Sequence, residues 1–332
     1  MDELRWGIVG PGRIARNVVT DFDHVAGSTV VAVASRSQAR ADGFAEEFGV
    51  ARAHGGYRQI IDDPEVDVLY IATPHPQHLA IAVSGLKAGK AVLVEKSFTA
   101  TAAGAETLVN TAREQGVFAM EAMWTRFQPV IVAARDVIAA GDIGEVRGVQ
   151  ADLGVQREFD ADDRLFNKEL AGGAMLDLGV YVVSFAQHFL GDPERMELVG
   201  TLASTGVDLD ASILLAYDDG RAATLSCSLR GPSPGAARIM GTKGWIDIHP
   251  RFHHPTSITV SRAGQDPETI DAPALGAGYS HELIEVSDCI RAGLTESAVM
   301  PLKDSLTVQR LLNEACERLG VFHHEDDTLD LS

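Results

Sequence analysis

Hydrophobic positions along the chain fall into two regimes. Up to about residue 122, short and almost wholly apolar runs alternate with helical patterns. The runs are Leu4, Trp6, Ile8 and Val9, then residues 29–34 (T-V-V-A-V-A), 66–72 (V-D-V-L-Y-I-A), 91–95 (A-V-L-V-E) and 117–120. Runs apolar on both faces read as parallel strands covered on both sides, and the helical patterns between them read as crossovers (39–48, a helix ending near Lys87, and 102–115). Beyond Met123 a helix over 129–140 leads into strands at 147–156, 197–204, 211–217 and 222–229. In the last of these, Ala223, Leu225, Cys227 and Leu229 alternate with Thr224, Ser226 and Ser228, so one face is buried and Cys227 reads as core. Asp218-Asp219-Gly220 is a hairpin signal, and Gly241-Thr242-Lys243-Gly244 is another turn. Helices over 280–292 and 302–319 finish the chain. The expected fold is α/β: an N-terminal Rossmann domain with a doubly wound parallel sheet (residues 1–122), then a C-terminal α+β domain with an open, mostly antiparallel sheet (123–332). An open sheet has a second face to cover, which predicts a homodimer or a dimer of dimers.

The first strand runs into G-x-G-x-x-A at Gly10, Gly12 and Ala15, and a helical pattern starts at once. In a dinucleotide site the first glycine makes the tight turn and the second admits a pyrophosphate. The alanine lets helix and strand pack closely. The helix head, with Arg13 and Ile14, offers free N–H groups to the phosphates. The second strand ends in Ser35-Arg36-Ser37, with no Asp or Glu for a ribose diol. An Arg between two hydroxyls suits a 2′-phosphate, so the cofactor reading is NADP, with NAD less preferred.

The net charge of −19 argues against nucleic-acid and anionic-membrane partners. It also requires local positive charge or helix ends for any anionic cofactor. No long uncharged apolar run is evident, and the acidic N-terminus enters the first strand directly, so neither a membrane span nor a signal peptide is expected. Cys227, Cys289 and Cys316 are widely spaced and suggest neither a disulfide framework nor a zinc site. The expected location is the cytoplasm.

Candidate chemistry lies at strand ends and on one helix. Glu95-Lys96 closes a parallel strand, where open α/β sheets place ligands, although a solvated lysine opening a loop is the plainer alternative. Asp177 and Tyr181, four apart on an apolar helical pattern, share a face. Either Asp177 satisfies a core tyrosine, or Tyr181 is a general acid or base on a carbonyl or carbinol. Thr73, His75 and His78 follow another strand, near the expected nicotinamide. Trp124, Arg126 and Phe159 are candidates for the substrate pocket, with packing as the alternative. Gly231-Pro232-Ser233-Pro234-Gly235 spells a nucleophile elbow, but Pro234 lacks the N–H that an oxyanion hole needs. His253-His254 and His323-His324 have no Asp, Glu or Cys at ligand spacing, so no metal is expected.

Taken together, G-x-G-x-x-A, Glu95-Lys96 and G-G-x-x-x-D-x-G-x-Y (172–181) resemble the Gfo/Idh/MocA family of sugar and polyol oxidoreductases. M-E-A-M-W-T-R-F (120–127), T-P-H-P-Q-H (73–78) and G-T-K-G-W (241–245) are similar to its branch of dihydrodiol and D-xylose dehydrogenases, over about residues 3–320. Many relatives carry His at the position of Tyr181; the tyrosine marks this branch. The resemblance implies Lys96 and Tyr181 as the catalytic pair, with Asp177 orienting the site. In the family the 73–78 loop borders the cofactor, which implies contacts from Thr73, His75 and His78, with a purely structural role for the two histidines as the alternative. Glu95 and Lys96, at their strand end, are also expected to meet the cofactor. Where relatives read Glu-Lys-Pro, this chain has Ser97, which frees φ and adds an N–H beside Lys96. The expected reaction is NADP-dependent hydride transfer at a carbinol or carbonyl carbon of a sugar, polyol or trans-dihydrodiol. The competing expectations are a non-catalytic NADP sensor and a sugar–sugar oxidoreductase that keeps its cofactor.

Overall fold

The computed structural model describes residues 3–332. The chain divides into two compact units. The first holds a parallel sheet of β1 (Leu4–Val9), β2 (Ser28–Ala34), β3 (Arg52–His54), β4 (Val68–Ile71), β5 (Ala91–Glu95) and β6 (Ala119–Ala122). The order β3-β2-β1-β4-β5-β6 reverses direction between β1 and β4. That reversal is the switch point beside which doubly wound sheets bind ligands, outside the carboxyl ends of the strands. β4 and β5 are buried at every position, as their unbroken apolar runs require. β3 escapes sequence reading because Arg52-Ala53-His54 has no apolar pattern.

Helices α1 (Arg13–Thr20), α2 (Gln38–Phe48), α3 (Tyr57–Ile61), α4 (His75–Lys87) and α5 (Ala102–Gln115) make the crossovers. α4 already starts at His75, within the T-P-H-P-Q-H stretch that reads as a loop in the sequence. Pro74 is its N-cap and Pro76 falls in its first turn, where a proline's missing N–H costs nothing. Between α4, α5 and the sheet, Ile81, Leu86, Val92, Val94, Leu108 and Val109 form a continuous core.

The second unit carries α6 (Pro129–Ala139), α7 (Val180–Leu190) and a sheet of eight strands. These are β7 (Val146–Gly154), β8 (Arg195–Leu202), β9 (Asp208–Ala216), β10 (Ala222–Ser228), β11 (Ala237–Gly241), β12 (Gly244–Ile248), β13 (Ser257–Arg262) and β14 (Glu268–Asp271). Their order is β14-β13-β12-β11-β7-β10-β9-β8, and only the β7–β10 pair is parallel. Val149, Leu153, Ile213, Leu215, Leu225, Cys227 and Ile239 form the buried face, on which α7 packs. The other face shows Thr224, Leu214, Val199 and Trp245 to solvent.

A single cut after residue 122 does not describe this division. Residues 275–306 and 324–332 belong with the first unit, so α8 (Ser280–Arg291) and the start of α9 (Leu302–Leu319) lie there, not on the antiparallel sheet. The buried Asp21 carboxylate accepts from Ala277 N (2.8 Å), Tyr279 N (2.7 Å) and Ser280 N (2.9 Å), fixing the head of α8. Glu325 accepts from Thr101 N (2.9 Å) and Oγ1 (2.8 Å) at the head of α5. Bonds between residues this distant in sequence leave no local pattern to read.

The stretch Lys168–Leu190 is long and apolar enough, by length and composition, to cross a membrane. Its apolar window is 83% buried inside the fold, as a core helix should be.

Candidate functional site

The strand ends of the first unit build a cradle for an anion. Gly10 sits at φ +90°, and a Cβ there would lie 2.9 Å from Ala72 O, so glycine is required twice over. Its N–H donates to Ala34 O (3.0 Å), closing the β1 turn against β2. Gly12 is the N-cap of α1, with no side chain capping it and no acidic residue in the first turn. A Cβ on Gly12 would meet nothing within 4 Å, so the backbone there faces open space. Arg13 is exposed, Ile14 half-buried and Ala15 buried. At the end of β2 Ser35 is buried and Arg36 exposed. Tyr57, at the head of α3, has the Arg36 side chain beside it; burial raises the phenol's pKa, partly offset by that guanidinium. An uncapped helix head, an open glycine and an exposed guanidinium fit the phosphates of a dinucleotide. Tyr57 was not singled out in the sequence, where Tyr-Arg-Gln-Ile-Ile reads only as a helical turn.

Beyond the switch point, β5 ends in Glu95, buried and bonded by the Tyr70 hydroxyl on neighbouring β4. Lys96 follows, half-buried. The Lys96–Ser97 peptide bond is cis. His78 is fully buried on α4, with Nε2 2.8 Å from Thr73 O and Nδ1 3.1 Å from Ser97 O. The ring thus sits between the loops after β4 and β5, in keeping with the structural alternative for this histidine. It also supplies an anchor at the residue that stands in place of proline. His75 is buried and meets His78 edge to face, with ring centroids 5.7 Å apart. Thr73 is buried at the same loop.

Burial lowers the His78 pKa to about 4, so the ring is neutral at pH 7. A depressed folded-state pKa gives stability that is present above the unfolded value of about 6.5 and is lost as pH falls through about 4. The Tm advantage of the wild type over His78→Asn should therefore shrink between pH 7 and pH 4. A gap that stays constant in circular-dichroism melts across that range would contradict the strut role.

In the second unit the Gly172–Tyr181 segment is not one α-helix. Met175–Gly179 is a π-turn that passes into α7. The four-residue spacing therefore does not put Asp177 and Tyr181 one α-turn apart. Asp177 forms an ion pair with Arg164 at 2.9 Å. The Tyr181 hydroxyl accepts a hydrogen bond from Trp124 Nε1 at 3.2 Å. The His253 ring lies 4.9 Å from the Tyr181 ring, and His254 lies 5.3 Å from Trp124. Thr125 Oγ1 donates to His253 O (2.8 Å), tying this loop to the W-T-R-F segment. The adjacent histidines had looked relevant only to metal; their place beside Tyr181 depends on a fold no spacing reveals.

Arg126 and Phe159 diverge. Arg126 is 2% exposed, and its guanidinium donates to Ser184 Oγ (3.3 Å) and Gln187 Oε1 (2.6 Å) of α7. These bonds brace the helix that carries Tyr181, in keeping with the packing alternative for Arg126. Phe159 is 53% exposed and stacks edge to face on Phe166 at 5.2 Å.

This pairing of folds and sites defines a class. Residues 4–123 match the oxidoreductase family model with an NAD-binding Rossmann fold, and residues 131–247 match the GFO/IDH/MocA C-terminal domain. The chain belongs to the Gfo/Idh/MocA family of oxidoreductases. Among its relatives is a trans-1,2-dihydrobenzene-1,2-diol dehydrogenase of Mus musculus, 40% identical over 97% of this chain and 99% of the relative. Among solved structures it is similar to an aldose-aldose oxidoreductase from Caulobacter crescentus (TM-score 0.87, 26% identity, covering 96% of this chain and 97% of that one). It is also similar to a 3-ketoreductase from Actinomadura kijaniata in complex with NADP and TDP-benzene (TM-score 0.81, 27% identity, 94% and 96% covered). The protein is a dehydrogenase or reductase using NAD(P).

Proposed function

We propose that the protein is an NADP-dependent dehydrogenase of a trans-dihydrodiol, sugar or polyol, with Lys96 and Tyr181 as its catalytic pair. The observation that carries the reading is the Trp124–Tyr181 hydrogen bond. The phenol oxygen accepts the indole N–H, which holds the hydroxyl in place for proton exchange with a substrate. A bound nicotinamide supplies the hydride acceptor or donor. Lys96 would hydrogen-bond the reacting oxygen and stabilise its negative charge, while Tyr181 removes or returns the hydroxyl proton. Asp177, held by Arg164, fixes the start of the helix that aims Tyr181. Gly10, Gly12, Arg13 and Ile14 cradle the pyrophosphate, and Arg36 binds the 2′-phosphate. The test is NADP⁺ reduction with trans-dihydrodiols, aldoses and inositols. Nucleotide binding without turnover of any of them, or of their carbonyl counterparts, would favour a sensor instead.

The likeness to the aldose-aldose oxidoreductase supports a second reading, in which the cofactor stays bound and is recycled between two sugars. Protein purified under that regime carries nicotinamide absorbance without added nucleotide.

We further propose a homodimer, or a dimer of dimers, formed through the open face of the second unit's sheet. That face exposes Val199 (72%), Leu214 (44%) and Trp245 (42%) between small polar residues. Apolar side chains grouped on one sheet face mark an interaction surface. Leu214→Glu should yield a monomer in sedimentation velocity, and a wild type that sediments as a monomer at micromolar concentration contradicts the arrangement. Three buried free cysteines suit a reducing compartment, and we place the protein in the cytoplasm.

A further inference from the structure

Far along the chain from the candidate catalytic residues, the second unit gathers three metal-ligand types that the sequence keeps apart. Asp208 opens β9, Cys316 lies near the end of α9, and His323 follows seven positions later. One ligand atom from each lies within 4.8 Å of the other two. Asp208 is 0% exposed; Oδ2 accepts from Met175 N at 2.6 Å, but Oδ1 has no hydrogen bond. Gly173 makes room for that oxygen, since a Cβ there would sit 2.1 Å from it. A buried carboxylate oxygen without a partner is costly unless a cation or proton satisfies it.

We propose that Asp208, Cys316 and His323 form a site for a divalent transition metal of the zinc type. One carboxylate, one thiolate and one imidazole make a borderline-soft set that suits Zn²⁺ and disfavours Mg²⁺ or Ca²⁺. Zinc bonds of about 2.0–2.3 Å put tetrahedral ligand atoms roughly 3.3–3.8 Å apart, so separations within 4.8 Å need close by no more than about 1.5 Å on binding. Cys316 loses its thiol proton to solvent as the metal binds. His323 is half-buried and gives the ion its way in, while a water fills the fourth position. Cys227 stands outside the group, its thiol directed at Met175 Sδ at 3.7 Å. The ion's role is structural. It joins the end of α9 to Asp208, and Asp208 already holds Met175, the first residue of the π-turn that leads to Tyr181.

Sequence spacing argued against zinc because the cysteines are widely separated and no Asp, Glu or Cys was read at ligand spacing from His323; Asp208 joins the group from more than a hundred positions away. The test is Co²⁺ titration of the full-length protein after chelator treatment and dialysis, read by visible absorption. The expected result is one equivalent of tetrahedral Co²⁺ with a thiolate charge-transfer band, displaced by Zn²⁺. The band should vanish in Cys316→Ser and persist in Cys227→Ser. His323→Ala, at a half-buried position, should weaken Co²⁺ binding by at least about tenfold while circular dichroism stays unchanged. No thiolate band in the wild type, or a band that survives Cys316→Ser, overturns the proposal.

Discussion

Tyr181→Phe should lower kcat by about 10²- to 10⁴-fold with little change in cofactor affinity, because general acid–base help is of that order and the phenol ring is kept. Trp124 loses its acceptor, but the ring stack with His253 remains, so the fold should tolerate the change. Lys96→Met should cost a comparable factor. In the proposed mechanism its ammonium supplies charge at the reacting oxygen and the phenol supplies a proton, so neither group would replace the other. If both act on one oxygen, as proposed, the double variant should fall far short of the product of the two losses. Steady-state kinetics of the three variants, with cofactor binding followed by NADPH fluorescence, provides the check. Unimpaired kcat in Tyr181→Phe on the true substrate would hand proton transfer to another group. Arg126→Met is the contrasting case. Arg126 touches Ser184 and Gln187 of α7, so its loss should appear in Tm as well as in kcat.

Arg36→Ala should erase most of an NADP preference of about 10- to 100-fold while leaving NAD use nearly intact. A charge-assisted bond to the 2′-phosphate is worth about 1.5–3 kcal/mol, and NAD has no such phosphate. Because Tyr57 lies beside the Arg36 side chain, Tyr57→Phe should loosen the guanidinium and show a smaller effect in the same direction. Equal kcat/KM for the two cofactors in the wild type would remove Arg36 from the role.

The strands and helices of the first unit were legible because their periodicity is local. Apolar runs mark β1, β2, β4 and β5, and Gly10 and Gly12 are where the turn geometry demands them. The start of α4 was missed because Pro76 reads as a breaker until Pro74 is seen as the N-cap. The π-turn was missed because Met175–Gly179 carries the same apolar spacing that an α-helix would. His78 and Arg126 are polar residues beside the expected site, and sequence cannot tell a ligand contact from a buried brace. Their contacts, Thr73 O and Ser97 O for one and the α7 side chains for the other, come only from the fold. Tyr57 and His253 gave no signal, since each acquires meaning from a neighbour distant in the chain.

Asp21, near the beginning of the chain, is hydrogen-bonded by backbone that comes more than 250 positions later. On the ribosome, the nucleotide-binding half is thus made first and finished last. Its carboxylate at Asp21 and the head of α5 at Thr101 wait for Ala277–Ser280 and Glu325, while the whole antiparallel sheet is synthesised and can fold in between. A stalled or truncated chain ending near residue 270 would carry a complete glycine turn on a scaffold that has not been closed. Cofactor capture by nascent chains should accordingly wait until the last segment has emerged.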